Sequence, residues 1–143
     1  MVLVQINTVV NSGSTGRITE DVGRVAIAHG HESDVAHGRG NHSSMSNLIR
    51  VGTRVDVVFH GIHSAVFDRH GFSSKRATIG LIEELDRIKP DVIGLHNLHG
   101  YYINIEVLFN YLKNAGVPVL WTLFDCWAFT GHCTYFDDID CKK

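Results

Sequence analysis

The sequence predicts an α/β fold in which a mainly parallel sheet is covered by helices on both faces. Short apolar runs alternate with segments whose apolar residues recur every three to four positions, as expected when strands alternate with helices. One run, residues 91–96, is almost continuously apolar, which is typical of a central parallel strand covered on both sides. Elements that alternate in this way form right-handed, doubly wound sheets.

The first part of the chain contains one complete β–α–β unit. Residues 2–7 are the first predicted strand, and the helix after it has one face made by Ile18, Val22, Val25 and His29. Gly30 suits the C-terminal end of this helix because glycine adopts the left-handed conformation there. Residues 32–37 are the second predicted strand. Residues 38–47 are rich in glycine and serine and predict a loop, which leads to a short third strand at 48–51.

The second part of the chain repeats the alternation. Apolar residues recur at helical spacing over residues 55–66 and again over 77–88. Pro90 ends the second of these helices, because the residue before a proline avoids the helical conformation. After the central strand, Asn104 can cap a helix whose apolar face is made by Ile105, Leu108, Phe109 and Leu112. Residues 117–123 are the last predicted strand.

Length and composition restrict the class of protein. A chain of 143 residues suits one domain. The net charge of −2 argues against a nucleic-acid partner, since such proteins carry a basic surface. The sequence contains neither an apolar run of membrane-spanning length nor a signal-peptide pattern, which predicts a cytoplasmic protein. The three cysteines lie close to the C-terminal end, and a cysteine cluster cut off there indicates that the natural protein continues.

Three loops are expected to meet at the carboxyl edge of the sheet, where ligands of such folds bind. They are residues 11–17, 96–103 and 124–133. The first contains the predicted phosphate-binding residues Gly13, Ser14, Thr15, Gly16 and Arg17. Glycine allows a phosphate to approach the backbone, and a helix start offers unpaired N–H groups. The spacing matches no established nucleotide motif, so a purely structural turn remains an equal alternative.

The other two loops are rich in polar and aromatic side chains, which can bind a polar ligand. Asp125 follows the last strand and could act as a base, orient a hydroxyl group or only cap a turn. The candidate ligand-binding residues in these loops are His96, Asn97, His99, Tyr101 and Trp127. Imidazole and amide groups can bond to sugar hydroxyls, and aromatic rings can stack on a sugar. The alternative is that these side chains satisfy backbone groups or pack in the core.

No metal site is predicted. His60 and His63 have helical spacing but lack further ligands in the sequence. A structural zinc site made by Cys126, His132, Cys133 and Cys141 is the less favoured alternative to free thiols. A small basic group, Arg69, Lys75 and Arg76, could contact an anionic acceptor or a membrane surface, or could simply be a solvated helix start.

Four segments together resemble a known family. They are residues 5–17, 68–71, 89–102 and 121–133, and in this order they are similar to the N-terminal domain of bacterial family-4 glycosyltransferases of the GT-B fold, which build surface polysaccharides. The resemblance covers essentially the whole chain. It implies that residues 1–143 are the Rossmann-like, acceptor-side domain of a retaining enzyme, without the C-terminal domain that holds most of the donor.

The resemblance also implies the partners. The donor would be a nucleotide-diphosphate sugar that the glycine-rich loop approaches, and no metal or other cofactor would be needed. The acceptor would be a saccharide or a lipid-linked saccharide, and the residues predicted to bind it are those of the second and third loops: His96, Asn97, His99, Tyr101 and Trp127. This domain alone is expected to be inactive, to contact the inner face of the membrane peripherally, and to self-associate through the face that a second domain would cover. Many relatives have a histidine before the residue that matches Asp125, whereas this chain has Phe124. A module that binds a sugar, a nucleotide or a partner without catalysis is therefore the alternative function.

Overall fold

One sheet of five parallel strands organises the molecule. The computed structural model describes residues 1–131 and 133–135. The strands are β1 (Val2–Val9), β2 (Glu32–Arg39), β3 (Asn47–Arg50), β4 (Val92–Leu95) and β5 (Val119–Trp121). Their order across the sheet is β3-β2-β1-β4-β5, and every pair is parallel. The predicted doubly wound α/β fold is confirmed, although β4 and β5 are shorter than the sequence predicts.

Helices flank this sheet. Those in the described part of the chain are α1 (Gly13–Ala28), α2 (Arg54–Phe67), α3 (Lys75–Ile88), α4 (Ile105–Asn114) and α5 (Trp127–Thr130). The first four confirm the predicted helices, and α5 is a single turn within a predicted loop. Right-handed connections place α1 on one face and α3 and α4 on the other, where α3 and α4 contact each other. No described helix is both long enough and apolar enough to cross a bilayer.

The main hydrophobic core lies between the sheet and helices α3 and α4. Its strand residues include Val4, Ile6, Ile93 and Leu95, and its helix residues include Leu81, Leu85, Leu108 and Leu112. These helix residues belong to the faces predicted from apolar spacing, so the prediction is confirmed for α3 and α4. Asn104 caps α4 as expected, because its side-chain oxygen accepts a hydrogen bond from the Val107 N–H at 2.9 Å.

Helix α1 packs on the sheet through the side opposite to its apolar face. Ile18, Val22 and Val25 are 40%, 41% and 59% exposed, whereas the buried residues are Gly16, Thr19, Glu20, Gly23 and Ala26. A Cβ atom on Gly23 would lie 2.4 Å from Ser46 Oγ, so the helix approaches its neighbours too closely for larger side chains. The contact is also polar, since the Gln5 amide donates to the Thr19 carbonyl at 3.0 Å. Apolar spacing therefore identified this helix but not its buried side.

Helix α2 also has its apolar side exposed and its polar side turned towards the rest of the molecule. Its outer face consists of six large apolar side chains, each at least 59% exposed: Val55, Val58, Phe59, Ile62, Val66 and Phe67. Its inner side is polar, with His60 and Ser64 buried. His60 Nδ1 lies 2.8 Å from Ser74 Oγ, and His63 Nδ1 lies 2.9 Å from Ser73 Oγ. Helix α2 is thus attached to the molecule by these hydrogen bonds and by Val57, which packs against the core, while the six apolar residues of its outer face are left in solvent.

The buried His60 makes stability depend on pH. Burial, with smaller effects of His70 and His63, lowers the pKa of His60 from 6.5 to about 4. The unfolded chain therefore binds a proton at this residue below about pH 6.5, whereas the folded chain binds it only near pH 4. Because the unfolded state binds more protons than the folded state in this interval, the free energy of unfolding decreases as the pH is lowered. We expect the free energy of unfolding in urea to fall as pH is lowered from 6.5 towards 4.

The variant His60→Asn keeps a hydrogen-bonding group near Ser74 but does not titrate. It should lose less stability over the same pH interval. Burial also lowers the pKa values of His37 and His96, so part of the dependence should persist in this variant. An unfolding free energy that stays constant between pH 7 and 4.5 would contradict the prediction.

Candidate functional site

The loops that carry the predicted site residues share one edge of the sheet. Because every strand is parallel, the loops that follow β1, β4 and β5 all leave from the carboxyl edge. Strands β1 and β5 flank β4, and two strand spacings separate them by roughly 10 Å. The edge is therefore wide enough for a sugar or a diphosphate to contact all three loops.

A histidine and an aspartate from two of these loops form a pair. His99 Nε2, in the loop after β4, lies 2.9 Å from Asp125 Oδ2, in the loop after β5. Their side chains are 25% and 16% exposed. The second carboxylate oxygen of Asp125 accepts the Trp127 N–H at 2.9 Å, which fixes the orientation of the carboxylate. If His99 donates from Nε2, then Nδ1 is the proton acceptor of the neutral ring, as in sites where a carboxylate orients a base.

Residues of β1 hold the loop that carries His99. Asn7 Oδ1 accepts the Asn97 N–H at 3.1 Å, and the Thr8 hydroxyl lies 3.0 Å from the Asn97 carbonyl oxygen. The Thr8 hydroxyl also lies within hydrogen-bond distance of the His99 carbonyl oxygen. The Asn97 side chain approaches Thr8 at 3.2 Å. Asn97, predicted to bind an acceptor, thus takes part in the support of the loop.

His96 lies below this surface. It is 8% exposed, its Nε2 lies 3.0 Å from Gln5 Oε1, and its ring stacks on Phe124 with centroids 5.9 Å apart. The Gln5 amide nitrogen already donates to Thr19, so Gln5 Oε1 accepts a hydrogen bond from the His96 Nε2–H, which leaves Nδ1 as an acceptor. His96 Nδ1 is buried and has no hydrogen-bond partner among the described residues. Burial lowers the pKa of His96, which disfavours the charged form of the ring.

The two aromatic residues predicted to stack on an acceptor occupy different surroundings. The Trp127 ring is 7% exposed, and its Nε1–H donates to His70 Nδ1 at 3.2 Å. Tyr101 lies farther out, between the His70 ring at 4.8 Å and the Arg39 guanidinium at 5.6 Å. Trp127 thus belongs mainly to the wall behind His99, whereas Tyr101 forms part of the surface next to α2.

The glycine-rich loop begins α1 at the same edge. Gly13 has φ +62°, which favours glycine. Gly16 is buried for packing, because a Cβ atom there would lie 3.1 Å from Val9 Cγ2. Gly13, Ser14 and Arg17 are exposed, and Ser12 does not cap the helix with its side chain. The first backbone N–H groups of α1 are therefore open to an anion.

The candidate metal ligands do not form a cluster in the described residues. No group of three or more His, Cys, Asp or Glu side chains there could hold a metal ion. His60 and His63 are bonded to Ser74 and Ser73. Cys126 and Cys133 are free thiols, whereas His132 and Cys141 lie outside the residues that the structure describes, so the four-residue zinc hypothesis is untested.

A small cavity adjoins the His99–Asp125 pair, and a separate apolar groove shares Trp121 and Trp127 with it. The small cavity is lined in part by His96, His99, Phe124 and Asp125 and has a volume of about 10 Å³, enough for about one water molecule. An apolar groove of about 320 Å³ runs beside it and is lined in part by Phe72, Phe109, Trp121 and Trp127. A larger cavity, about 600 Å³ and of mixed charge, lies between β3 and the end of α3. That cavity is at the amino edge of the sheet, away from the predicted site residues.

A curated protein resembles the chain along nearly its whole length. The chain is 23% identical over 149 aligned positions to a protein of Escherichia coli (strain K12) described as a colanic acid biosynthesis glycosyl transferase, WcaC. The alignment covers 96% of this chain and 36% of that protein. The chain is a glycosyltransferase-like domain. It spans about a third of the length of this relative. No family model matches the chain, and no solved structure matches it.

The pairing in this glycosyltransferase-like domain was not predicted from sequence. Asp125 and His99 were each candidates, but the contact joins residues separated by 26 positions. A signal was available, because both residues follow adjacent strands of a parallel sheet and such loops meet at one edge. The supporting residues Gln5, Asn7 and Thr8 were missed because Gln5 and Asn7 lie within a strand that was predicted to be part of the core, and because Thr8 lies just beyond the predicted end of that strand, although the strand extends to Val9 in the structure.

Proposed function

We propose that this chain is the acceptor-side domain of a retaining, nucleotide-sugar-dependent glycosyltransferase of family 4 with the GT-B fold. The observation that carries the proposal is the 2.9 Å contact between His99 Nε2 and Asp125 Oδ2 at the carboxyl edge. The similarity to a glycosyl transferase over 96% of the chain supports the reaction class. The rest of such an enzyme, including a donor-binding domain, would come from a longer protein.

In the proposed reaction, His99 is the base that removes the proton of the acceptor hydroxyl. The acceptor oxygen forms a bond to the anomeric carbon of the donor sugar on the same face from which the diphosphate leaves, so that the anomeric configuration is retained, and the bond from that carbon to the diphosphate oxygen breaks. The hydroxyl proton passes to His99 Nδ1, and the Asp125 carboxylate stabilises the imidazolium ion that results. The diphosphate leaves with the electron pair of the broken bond. Asp125 is thus a positioning residue for His99 in this mechanism.

Positive groups at the same edge would stabilise the leaving diphosphate. The N-terminus of α1 supplies unpaired N–H groups and about half a positive charge, and the exposed Arg17 adds a guanidinium that suits phosphate oxygens. Oriented dipoles and cations of this kind stabilise charge that develops on a leaving group. Such an arrangement needs no metal ion in the domain.

The surroundings of the pair favour a lipid-linked acceptor over a purely polar saccharide. The apolar groove beside Asp125 has aromatic walls that include Phe109, Trp121 and Trp127. Aromatic side chains bind both sugar faces and hydrocarbon chains, whereas a purely polar substrate would leave much of the apolar surface of this groove without contacts. An acceptor with an apolar part next to its sugar would place that apolar part in the groove.

A panel of UDP- and GDP-sugars, assayed with the complete enzyme and lipid-linked or free saccharides, tests the proposal. Transfer of one sugar supports a glycosyltransferase. The alternative, a binding module without catalysis, is favoured by Phe124, which cannot exchange protons with a sugar. Saturable binding of a sugar or nucleotide without turnover would support that alternative.

Replacement of Phe124 by histidine distinguishes two explanations of this departure from the family. In the structure Phe124 stacks on the buried His96, and His99 already provides the imidazole beside Asp125. We therefore expect kcat of Phe124→His to stay within about twofold of the wild-type value, because His99 already supplies the imidazole that the reaction needs. An increase of about tenfold or more would show instead that the catalytic imidazole had been lost at position 124.

A further inference from the structure

We propose that His96 accepts a hydrogen bond from one hydroxyl group of the acceptor sugar and selects sugars that carry this group. The proposal rests on the proposed transfer reaction, because it concerns the sugar whose reacting hydroxyl gives its proton to His99. His96 is 8% exposed and lines the small cavity beside the His99–Asp125 pair. Buried polar atoms are normally hydrogen-bonded, so one without a protein partner at such a place indicates that a hydroxyl group binds there.

The hydrogen bonds around His96 determine which kind of group it can bind. The Gln5 amide donates to the Thr19 carbonyl at 3.0 Å, which turns the Gln5 side-chain oxygen towards His96 Nε2 at 3.0 Å. That oxygen can only accept, so Nε2 carries the ring proton and Nδ1 has a free lone pair. Nδ1 is buried and has no hydrogen-bond partner among the described residues. His96 is therefore an acceptor that needs a donor.

The N–H groups of the aromatic and imidazole residues around the cavity already have partners. The Trp121 indole N–H donates to the His96 carbonyl oxygen at 3.3 Å. His99 Nε2 and the Trp127 backbone N–H each lie 2.9 Å from an oxygen of the Asp125 carboxylate. None of these groups can reach His96 Nδ1 without leaving its present partner. A buried acceptor without a donor costs free energy, and a hydroxyl group from a ligand would remove that cost.

The cavity fits a hydroxyl group and excludes larger substituents. Its volume of about 10 Å³ is enough for about one water molecule, so a methyl or acetyl group on the same oxygen would not fit. The Phe124 ring stacks on the imidazole with centroids 5.9 Å apart, and apolar surroundings of this kind favour the neutral ring as an acceptor. The site should therefore prefer a hydroxyl group to a hydrogen, a fluorine or an ether at the same carbon.

The position of the cavity favours the sugar that reacts at His99. His96 and His99 both belong to the loop that follows β4, and both line the cavity. Hydroxyl groups on neighbouring carbons of a sugar ring lie side by side, so a sugar with its reacting hydroxyl at His99 holds a second one near the cavity. A hydroxyl that replaces a water molecule and keeps its hydrogen bond loses no affinity. A sugar without that hydroxyl leaves Nδ1 unpaired and should be rejected.

Acceptor analogues in combination with a His96 variant test the proposal. The probes are octyl β-D-glucoside and octyl β-D-galactoside, whose alkyl chains suit the apolar groove, and the monodeoxy and monofluoro derivatives of each. The measured quantity is kcat/KM for transfer by the complete enzyme from the donor that the sugar panel identifies. We expect one hydroxyl, next to the reacting one, whose removal lowers kcat/KM about tenfold or more. The fluoro derivative should be equally poor, because fluorine cannot donate a hydrogen bond.

The variant His96→Phe keeps an aromatic ring but has no acceptor atom. Removal of the same hydroxyl should change kcat/KM of this variant less than about twofold. His37→Phe is the matched control, because His37 is also a buried histidine of the sheet but lies on β2, with Nδ1 3.0 Å from the Arg39 carbonyl oxygen. It should keep the tenfold discrimination. Transfer by the wild-type enzyme that does not distinguish the analogues, or equal discrimination by His96→Phe, overturns this proposal and leaves the transferase function intact.

The imidazole ¹⁵N signals of His96 give a second measurement that needs no turnover. Each octyl glycoside is added to the purified wild-type protein below the concentration at which it forms micelles. At least one glycoside should shift the Nδ1 signal, and its deoxy derivative at the selected position should not. This measurement decides the matter if no sugar is transferred, which would contradict the proposed function separately, or if His96→Phe does not fold. A signal that neither glycoside shifts overturns the proposal, since water alone would then occupy the cavity.

Discussion

We expect Asp125→Asn to lower kcat for sugar transfer by about 10²- to 10⁴-fold in the complete enzyme. One carboxylate oxygen of Asp125 accepts from His99 Nε2 and the other accepts the Trp127 N–H. An asparagine has only one acceptor oxygen. If that oxygen keeps the Trp127 bond, the amide NH₂ group faces His99 and forces the opposite tautomer, in which Nδ1 carries a proton and cannot act as a base. The negative charge that stabilises the imidazolium ion is lost as well.

Initial rates at saturating donor and acceptor measure this effect. Because Asp125 acts through His99, His99→Gln should cause a similar loss, and the double variant should lose little more than either single variant. Asp86→Asn is the control, since Asp86 is an exposed carboxylate bonded to the Tyr111 hydroxyl and should leave kcat unchanged. A kcat within about threefold of the wild-type value for Asp125→Asn would show that the pair serves structure rather than catalysis.

Gly38→Ala should have the largest effect on stability, a loss of about 3 kcal/mol in the free energy of unfolding. Gly38 lies in β2, where an added Cβ atom would lie 2.2 Å from both Cβ and Cγ of Tyr102. Tyr102 is 1% exposed and donates from its hydroxyl to the Asn97 carbonyl at 3.0 Å. Relief of the clash requires movement of a fully buried ring. We therefore expect the same substitution to displace the loop that carries His99.

Urea unfolding of Gly38→Ala and of Gly80→Ala makes a matched comparison. Gly80 lies within α3, and an added Cβ atom there meets no other atom within 4 Å. Alanine at that position should raise the free energy of unfolding by about 0.5–1 kcal/mol, since glycine weakens a helix interior. Equal stability of the two variants would mean that Tyr102 can move at little cost and would contradict the predicted packing.

The existence and order of the elements followed from sequence because they depend on local patterns. The buried run of β4, the proline after α3 and the capping Asn104 each act within a few residues, and each was predicted correctly. The single-turn helix α5 has too few residues to show periodicity. Its start depends instead on the Asp125 carboxylate accepting the Trp127 N–H, which becomes visible only in three dimensions.

Apolar spacing could not predict which side of α1 and of α2 is buried. Apolar spacing shows that a helix has an apolar side, but the covering of that side depends on neighbours distant in sequence. Gly23 against Ser46 and His60 against Ser74 decide the outcome, and both contacts join separate elements. The His99–Asp125 pair has the same character. Candidate residues were therefore identified individually, whereas their partners required the fold.

The polar attachment of α1 has a consequence for the motion of the glycine-rich loop. The helix contacts the sheet through Gly16, Thr19, Gly23 and Ala26, with the Gln5 amide bonded to Thr19. Detachment of such a helix exposes little hydrocarbon, and the broken hydrogen bonds can be replaced by bonds to water. The free energy of a small rigid displacement is therefore low compared with that of α3 or α4. The start of α1, and with it the proposed phosphate-binding loop at residues 13–17, can thus shift without disturbing the main core.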